Sequence, residues 1–380
     1  MHILPVASGK GGVGKSLLAA NLALVLARAG ARVILADLDF GGSNLHLILG
    51  TRNLRVGLGA FLNNPEISFD QVILDTDYEN LRFIPGDGEI PGIANLNSGQ
   101  KRKLTSRLRS VDADYLILDL GAGTSFNVMD FFLLSRRGII ITTPTPTALV
   151  NAYLCLKNAL FRLLTSSIKR GSPADQALKE LTRDTERLQR AYLPDLVTRL
   201  EAVDPESIAA YRDAASRFRP RLVLNMLDDP KDADKVARLR HSCSQYLGLE
   251  LEHLGVMYRD ELQDIALSAR LPIVEYKPQG LLSQAISRIG DKILELSADE
   301  EDSQWLNAEE SFTTASLEAE ADFEVKSDYV NELLRSGALS QGDLLETAKT
   351  QQIEINQLRR QNDLLKSKLV QAARQGFDVR

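Results

Sequence analysis

Cysteine is nearly absent: the 380-residue chain has two, Cys155 and Cys243, far apart and in no C-x-x-C pair. That argues against a disulfide scaffold, a zinc site built on thiolate pairs and a cysteine-held iron–sulfur cluster. No apolar run reaches the ~18 residues of a membrane-spanning helix. The start lacks a signal-peptide pattern, since strand-like residues begin almost at Met1, so a cytoplasmic protein is expected. Histidine is scarce, at four residues, and none is placed as a strong base. Basic residues are missing from one stretch: residues 297–325 hold ten acids and no Lys or Arg. The net charge is −6, so the remainder is mildly basic. That excess does not demand nucleic acid, which is not expected as a partner.

What is present is concentrated at the start. Residues 3–8 read as a strand and residues 17–29 as an Ala/Leu-rich helix stopped by Gly30. Between them Gly9, Gly14, Lys15 and Ser16 meet the spacing G-x-x-x-x-G-K-S. Glycines there let backbone N–H groups turn toward phosphate oxygens, and the helix N-terminus adds partial positive charge. In this pattern Lys15 reaches the β- and γ-phosphates and the Ser16 hydroxyl ligates Mg²⁺. The binding stretch is Gly9, Lys10, Gly11, Gly12, Val13, Gly14, Lys15, Ser16 and Leu17.

Further strands are expected at residues 32–37, 71–74, 81–85, 115–119, 138–143, 221–226 and 251–256, and helices at 56–62, 97–111, 126–134, 147–164, 232–247, 261–268 and 281–296. Strands alternating with helices imply an α/β fold with a doubly wound, mostly parallel sheet. Ligands in such sheets sit beyond the carboxyl ends of the strands, where the first loop, Asp39 and Asp119 all fall. Asp119 ends a very apolar strand, the placement of a Walker B carboxylate.

The alternation breaks at residues 166–219, which read as a helical insertion within a domain spanning 1–296. Residues 297–325 read as an acidic flexible linker. Residues 326–376 read as a helical tail. Within it, residues 344–372 place Ala348, Ile355, Asn362 and Leu369 at heptad position a, and Leu344, Gln351, Leu358, Leu365 and Ala372 at d. Leucine at d with one Asn at a favours a parallel two-stranded coiled coil; an amphipathic helix docked on its own body is the alternative.

A second lysine inside the loop, Lys10, resembles the deviant Walker A of the MinD/ParA family of P-loop ATPases. Residues 37–45 look like that family's switch I and residues 119–123 like its switch II. Residues 143–147, 151–153 and 223–226 are similar to its FlhG branch, the flagellar number regulators. The resemblance covers residues 1–165 and 220–295. It implies ATP and Mg²⁺ as cofactors and slow hydrolysis with Lys10, Lys15 and Asp39 as catalytic residues. Lys10 would cross a dimer interface to the partner's phosphates, and Asp39 would position the attacking water. Asp37, Asp39 and Asp119 would support Mg²⁺ and its waters beside Ser16. Asn225 would read the adenine edge, with Tyr258, Arg259 and Asp260 flanking the base.

It further implies a homodimer formed with ATP, placing a flagellum, a division site or another polar assembly, with polar or peripheral membrane localisation. The tail and the helical insertion have no counterpart in the family; the tail would hold a protein partner or pre-pair the protomers, raising their effective concentration. FlhG proteins usually carry an N-terminal extension that activates a partner GTPase, and none is seen here. The usual basic membrane helix is replaced by acid, which anionic lipid repels, so membrane contact is left open. Tyr258 stands where the family usually has proline. A nucleotide-sensing scaffold with negligible turnover is the alternative function, and Lys10 and Asp39 argue against it. Metal-cluster carriers of this fold need cysteines, and a tyrosine kinase of the superfamily would want a Tyr-rich tail, whereas this tail has only Tyr329. An amidoligase rests on fold analogy alone.

Overall fold

The first strand, β1 (His2–Ala7), is buried along its last four residues, and β2 (Val33–Leu38) and β5 (Tyr115–Leu120) are buried throughout. Strands without a polar face need cover on both sides, the condition of a parallel sheet between helical layers. The structure, a computed structural model, describes residues 1–42, 44–51, 56–86, 96–183, 192–298 and 308–335. Its sheet has eight strands in the order β3-β4-β2-β5-β1-β6-β7-β8. The remaining strands are β3 (Leu74–Asp75), β4 (Leu81–Ile84), β6 (Ile139–Thr142), β7 (Arg221–Leu227) and β8 (Glu252–Tyr258). Every neighbouring pair is parallel except β3 with β4. This is the α/β, doubly wound, mostly parallel architecture expected from the sequence.

Alternate residues of β2 sort into two layers: Val33 and Leu35 on one side, Ile34, Ala36 and Leu38 on the other. The first layer is built from α1 (Lys15–Arg28) and α13 (Leu281–Ala298), through Leu18, Leu22, Ile286, Ile289 and Ile293. The short helices α2 (Leu45–Leu49), α11 (Leu262–Ser268) and α12 (Ile273–Tyr276) complete it. The second layer holds α3 (Leu58–Asn63), α4 (Ser98–Arg109), α5 (Phe126–Phe132), α6 (Pro146–Ser167) and α10 (Asp234–Leu247). Helix α4 starts on a capping box, with the Asn97 side chain accepting from Gly99 N and Gln100 N.

The expected insertion is helical: α7 (Pro173–Arg183), α8 (Leu193–Glu201) and α9 (Pro205–Ser216). Leu196, Leu200, Ile208 and Tyr211 join the second layer's core, so the insertion is packed into the domain. Phe218 meets Phe132 edge to face at 6.0 Å.

Two expectations are corrected. Residues 71–74 are not a continuous strand. A 3-10 turn at Asp70–Val72, where the Gln71 side chain accepts from Ser68 N at 2.8 Å, leaves only the two-residue β3. Nor is the stretch from 308 a flexible linker, because Ala308–Arg335 is one helix, α14. Among its described side chains, Ser311, Ala315, Ala319 and Asp322 are buried. Their spacing gives a narrow small-residue stripe that lets the helix lie close to β8. Ser311 Oγ accepts from His253 N at 3.0 Å, Tyr258 Oη donates to Ala319 O at 2.8 Å, and Lys292 pairs with Glu318. Asp322 pairs with Arg288. The acids that suggested a linker are partly used as partners for the basic face of α13. Contacts divide the chain into one unit from Met1 to Asp322 and a second from Phe323 to Arg380. In the second unit the described residues end at Arg335 and are helical; the expected coiled coil at 344–372 lies outside them.

His253 is enclosed between β8 and α14, against the Phe312 ring at 5.0 Å. Burial, aided by the nearby Lys292 charge, pushes its imidazole down to about 3. The unfolded chain therefore binds a proton between about pH 6.5 and pH 3 that the folded chain refuses. The neutral form's stability is fully present above pH 6.5 and lost as pH falls. Between pH 7.5 and 5.0 the wild type is expected to lose about 2 kcal/mol more than His253→Leu, read from urea unfolding at both pH values.

Candidate nucleotide site

At the carboxyl edge of β1 the chain turns through Ser8 and the glycine-rich loop into α1. Gly12 and Gly14 have φ of 76° and 91°, values that disfavour a side chain, and Gly14 is the residue from which α1 starts. A Cβ on Gly9 would lie 2.0 Å from the Asn151 carbonyl oxygen, so the loop is pressed against α6. Ser8 Oγ donates to Lys10 O at 2.9 Å, and Gly123 N donates to Ser8 O at 3.1 Å, tying the loop to the segment after β5. The loop, α1 and the ends of β2 and β5 meet where the strand order reverses around β1, the usual place for a ligand in such a sheet.

Three carboxylates face this point. Asp37 and Asp119 are register partners on β2 and β5 and are fully buried. Asp37 accepts from Asp39 N at 3.0 Å, fixing the turn that presents Asp39. Lys15 Nζ donates to Asp119 Oδ1 at 2.7 Å and lies 3.9 Å from Asp39 Oδ2, with 7% of its side chain exposed. Burial raises the Asp119 carboxyl; the Lys15 charge, its hydrogen bond and one from Ser16 oppose that, and Asp39 adds to it. Hard oxygen donors from Ser16, Asp37 and Asp119 around one point suit Mg²⁺, which keeps several waters and takes few protein ligands. Among the described residues no group of three or more His, Cys, Asp or Glu forms a self-sufficient metal cage.

Lys10 is exposed, with Nζ 3.4 Å from Thr147 Oγ1 at the start of α6. Val13 is buried and Leu17 half-buried. Asn225, expected as the adenine reader, is buried at the end of β7 and donates to Val13 O at 2.9 Å; its Oδ1 accepts from Met226 N. It packs so closely that a Cβ on Gly14 would fall 2.2 Å from its Nδ2. Arg259 pairs with Asp228 at 3.3 Å, and Asp260 accepts from Leu262 N at 2.9 Å. Tyr258 needs correction as a base-flanking side chain: its ring is buried and its hydroxyl is committed to Ala319 of α14. The sequence reading missed Thr147 and Asn151 as parts of the loop's surroundings. The signal for them was Pro146 at the first turn of a helix following β6, which brings that helix start to the same sheet edge.

The model of the CobQ/CobB/MinD/ParA nucleotide binding domain matches residues 4–306. The chain is 35% identical over 162 residues to the flagellum site-determining protein YlxH of Helicobacter pylori, covering 40% of this chain and 52% of that one. It is 35% identical over 152 residues to the septum site-determining protein MinD of Synechocystis, covering 40% and 56%. The chain thus spans about half the length of these two relatives. Against the antiactivator FleN of Pseudomonas aeruginosa it is 26% identical over 296 residues, covering 77% and 86%. Among solved structures it resembles MinD of Pyrococcus horikoshii complexed with Mg-ADP, with TM-score 0.52 and 18% identity over 78% of this chain and 97% of that one. A ParA family ATPase from Chlorobium tepidum gives TM-score 0.52 at 18% identity, over 76% and 97%. At such identity the structural likeness speaks for the fold.

Proposed function

The chain belongs to the CobQ/CobB/MinD/ParA nucleotide-binding family, and on that premise we propose that it is a slow ATPase that dimerises with ATP and regulates the placement of a flagellar, division or other polar assembly. The observation that carries this reading is the division of labour between two lysines in one loop. Lys15 is buried and held by Asp119, whereas Lys10 is exposed at the rim with its ammonium beside Thr147. A lysine serving its own chain's phosphates belongs inside the cradle. One exposed at the rim is placed to serve a site on a second copy.

The loop N–H groups and the α1 N-terminus bind the phosphates. Lys15 exchanges Asp119 for the β- and γ-phosphate oxygens, so nucleotide entry frees the Asp119 carboxylate. Ser16, Asp37, Asp39 and Asp119 would hold Mg²⁺, directly or through its waters, and that ion would neutralise charge on the phosphate oxygens. Asp39, on a turn fixed by Asp37, orients the attacking water in line with the γ-phosphate; phosphoryl transfer relies on such positioning and on electrostatic stabilisation. Lys10 of each protomer stabilises charge on the other's γ-phosphate, which makes hydrolysis depend on the dimer. Asn225 exchanges its Val13 bond for the adenine edge, with Arg259 and Asp260 beside it.

The names of YlxH and MinD, site-determining proteins for flagellum and septum, support the class of assembly, and FleN's name supports a protein partner whose activity is restrained. That partner is assigned to the tail beyond residue 326. No described helix is long and apolar enough to cross a membrane. The test is ATPase rate against protein concentration. A specific activity that rises with concentration and saturates supports a shared site; a rate per chain that is independent of concentration while the chain stays monomeric contradicts it.

A further inference from the structure

At the edge of the sheet opposite the glycine-rich loop lies a second cleft, of about 560 Å³, between the start of β1, the turn before β6 and the end of α9. β1 has six residues at about 3.3 Å each, so the cleft is ~20 Å from the nucleotide site and separate from it. Its wall carries Arg136, Arg137, Arg217, Arg221 and His2, and no carboxylate is among its described lining residues.

These arginines are placed by main-chain geometry. Arg219 N donates to Arg136 O at 2.8 Å and Arg221 N to Gly138 O at 2.9 Å, clamping the turn before β6 to the start of β7. Arg221 is 3% exposed, a buried charge whose Nε faces Glu252 at 3.2 Å. Arg217 is paired with Asp213 through one nitrogen. Neither Glu252 nor Asp213 is among the described residues that line the cleft. The Arg217 guanidinium has five N–H donors in a fixed fork, so its pairing with Asp213 leaves others for a ligand in the cleft, while Arg221 adds a buried positive charge behind them. Arg136 is exposed and has no ion pair among the described residues. Several like charges in a fixed wall repel one another, an arrangement that an anion relieves.

We propose that this cleft is a second anion site, taking a soluble phosphate-bearing small molecule of about nucleotide size. Bidentate arginine forks match phosphate oxygens, a volume of about 560 Å³ lies within the range of small-molecule pockets, and the His2 ring, tilted against Tyr115 with centroids 5.1 Å apart, offers a planar surface beside the charges. The insertion supplies Ser216 and Arg217 to the wall, which gives that segment a role the nucleotide site does not require. Occupancy would bridge the insertion to β1 and β7.

The experiment is titration of the full chain with inorganic pyrophosphate by calorimetry, in a Lys15→Ala background that silences the glycine-rich loop. Saturable binding is expected, weakened tenfold or more by Arg136→Ala together with Arg217→Ala, while the same pair in the wild-type background leaves ATPase rate unchanged. Vesicles of phosphatidylglycerol form the second arm. Absence of saturable pyrophosphate binding, or equal binding by the arginine variant, overturns the proposal. So does a loss confined to vesicle binding, which would assign the arginines to a lipid surface.

Discussion

Replacing Lys15 with alanine is expected to weaken ATP binding by at least ~100-fold, measured by calorimetry, and to lower the unfolding midpoint as well. The two effects have different origins. In the bound state Lys15 would make charge-assisted hydrogen bonds to phosphate, each worth about 1.5–3 kcal/mol, and nothing else buried in the loop carries positive charge. In the free state it is the buried counter-ion of Asp119, at 2.7 Å. Removing it leaves a carboxylate that burial already pushes upward. Breaking a buried pair from one side costs about 3–5 kcal/mol if the charge stays, and less if the carboxyl takes a proton. The variant should therefore be more stable at pH 5 than at pH 8 relative to wild type. Adding Asp119→Asn to Lys15→Met should restore the midpoint without restoring ATP affinity. Full recovery of affinity in that double variant would mean that Lys15 only balances Asp119.

Lys10→Ala should behave in the opposite way. Its side chain is exposed, so the fold and the unfolding midpoint should not change within about 0.5 kcal/mol. The cradle is made by loop N–H groups, Gly12 and Gly14 keep their φ values, and Lys15 stays in place, so ATP affinity should remain within about threefold. Turnover should drop by at least ~100-fold, the scale of removing a donor aimed at charge in the transition state. The concentration dependence of the rate should vanish with it. Unchanged turnover in this variant would remove the argument for a shared site.

Much of the fold and of the loop's geometry was legible in the sequence because the requirements are local. The loop needs backbone in positive φ at positions 12 and 14, and a close approach of Asn225 at position 14, which only glycine allows without strain. Strand-ending Asp37 and Asp119 were readable because apolar runs with no polar face define buried strands, and consecutive βαβ units put their ends together. Helix α14 was illegible for a physical reason. Its buried face is Ser311, Ala315, Ala319 and Asp322, and two of its acids are stabilised by Arg288 and Lys292, which only the packing of α13 brings near. Composition sees the acids and not their partners. Tyr258 was misassigned by the same omission, since the helix that accepts its hydroxyl was taken for a linker. The basic cleft escaped as well, because its arginines come from two stretches about 80 residues apart in sequence, 136–137 and 217–221, that pairing of β6 with β7 brings together.

The central claim is that ATP joins two chains through this site. It is tested most directly by the solution mass of Asp39→Ala, which is expected to bind ATP without consuming it, in a chain ending at Arg335 so that pairing by the tail is removed. Light scattering should give twice the monomer mass with Mg-ATP and the monomer mass with Mg-ADP, and Lys10→Ala added to this variant should return the ATP form to monomer. A monomer in saturating ATP, with binding confirmed by calorimetry on the same sample, would contradict the account.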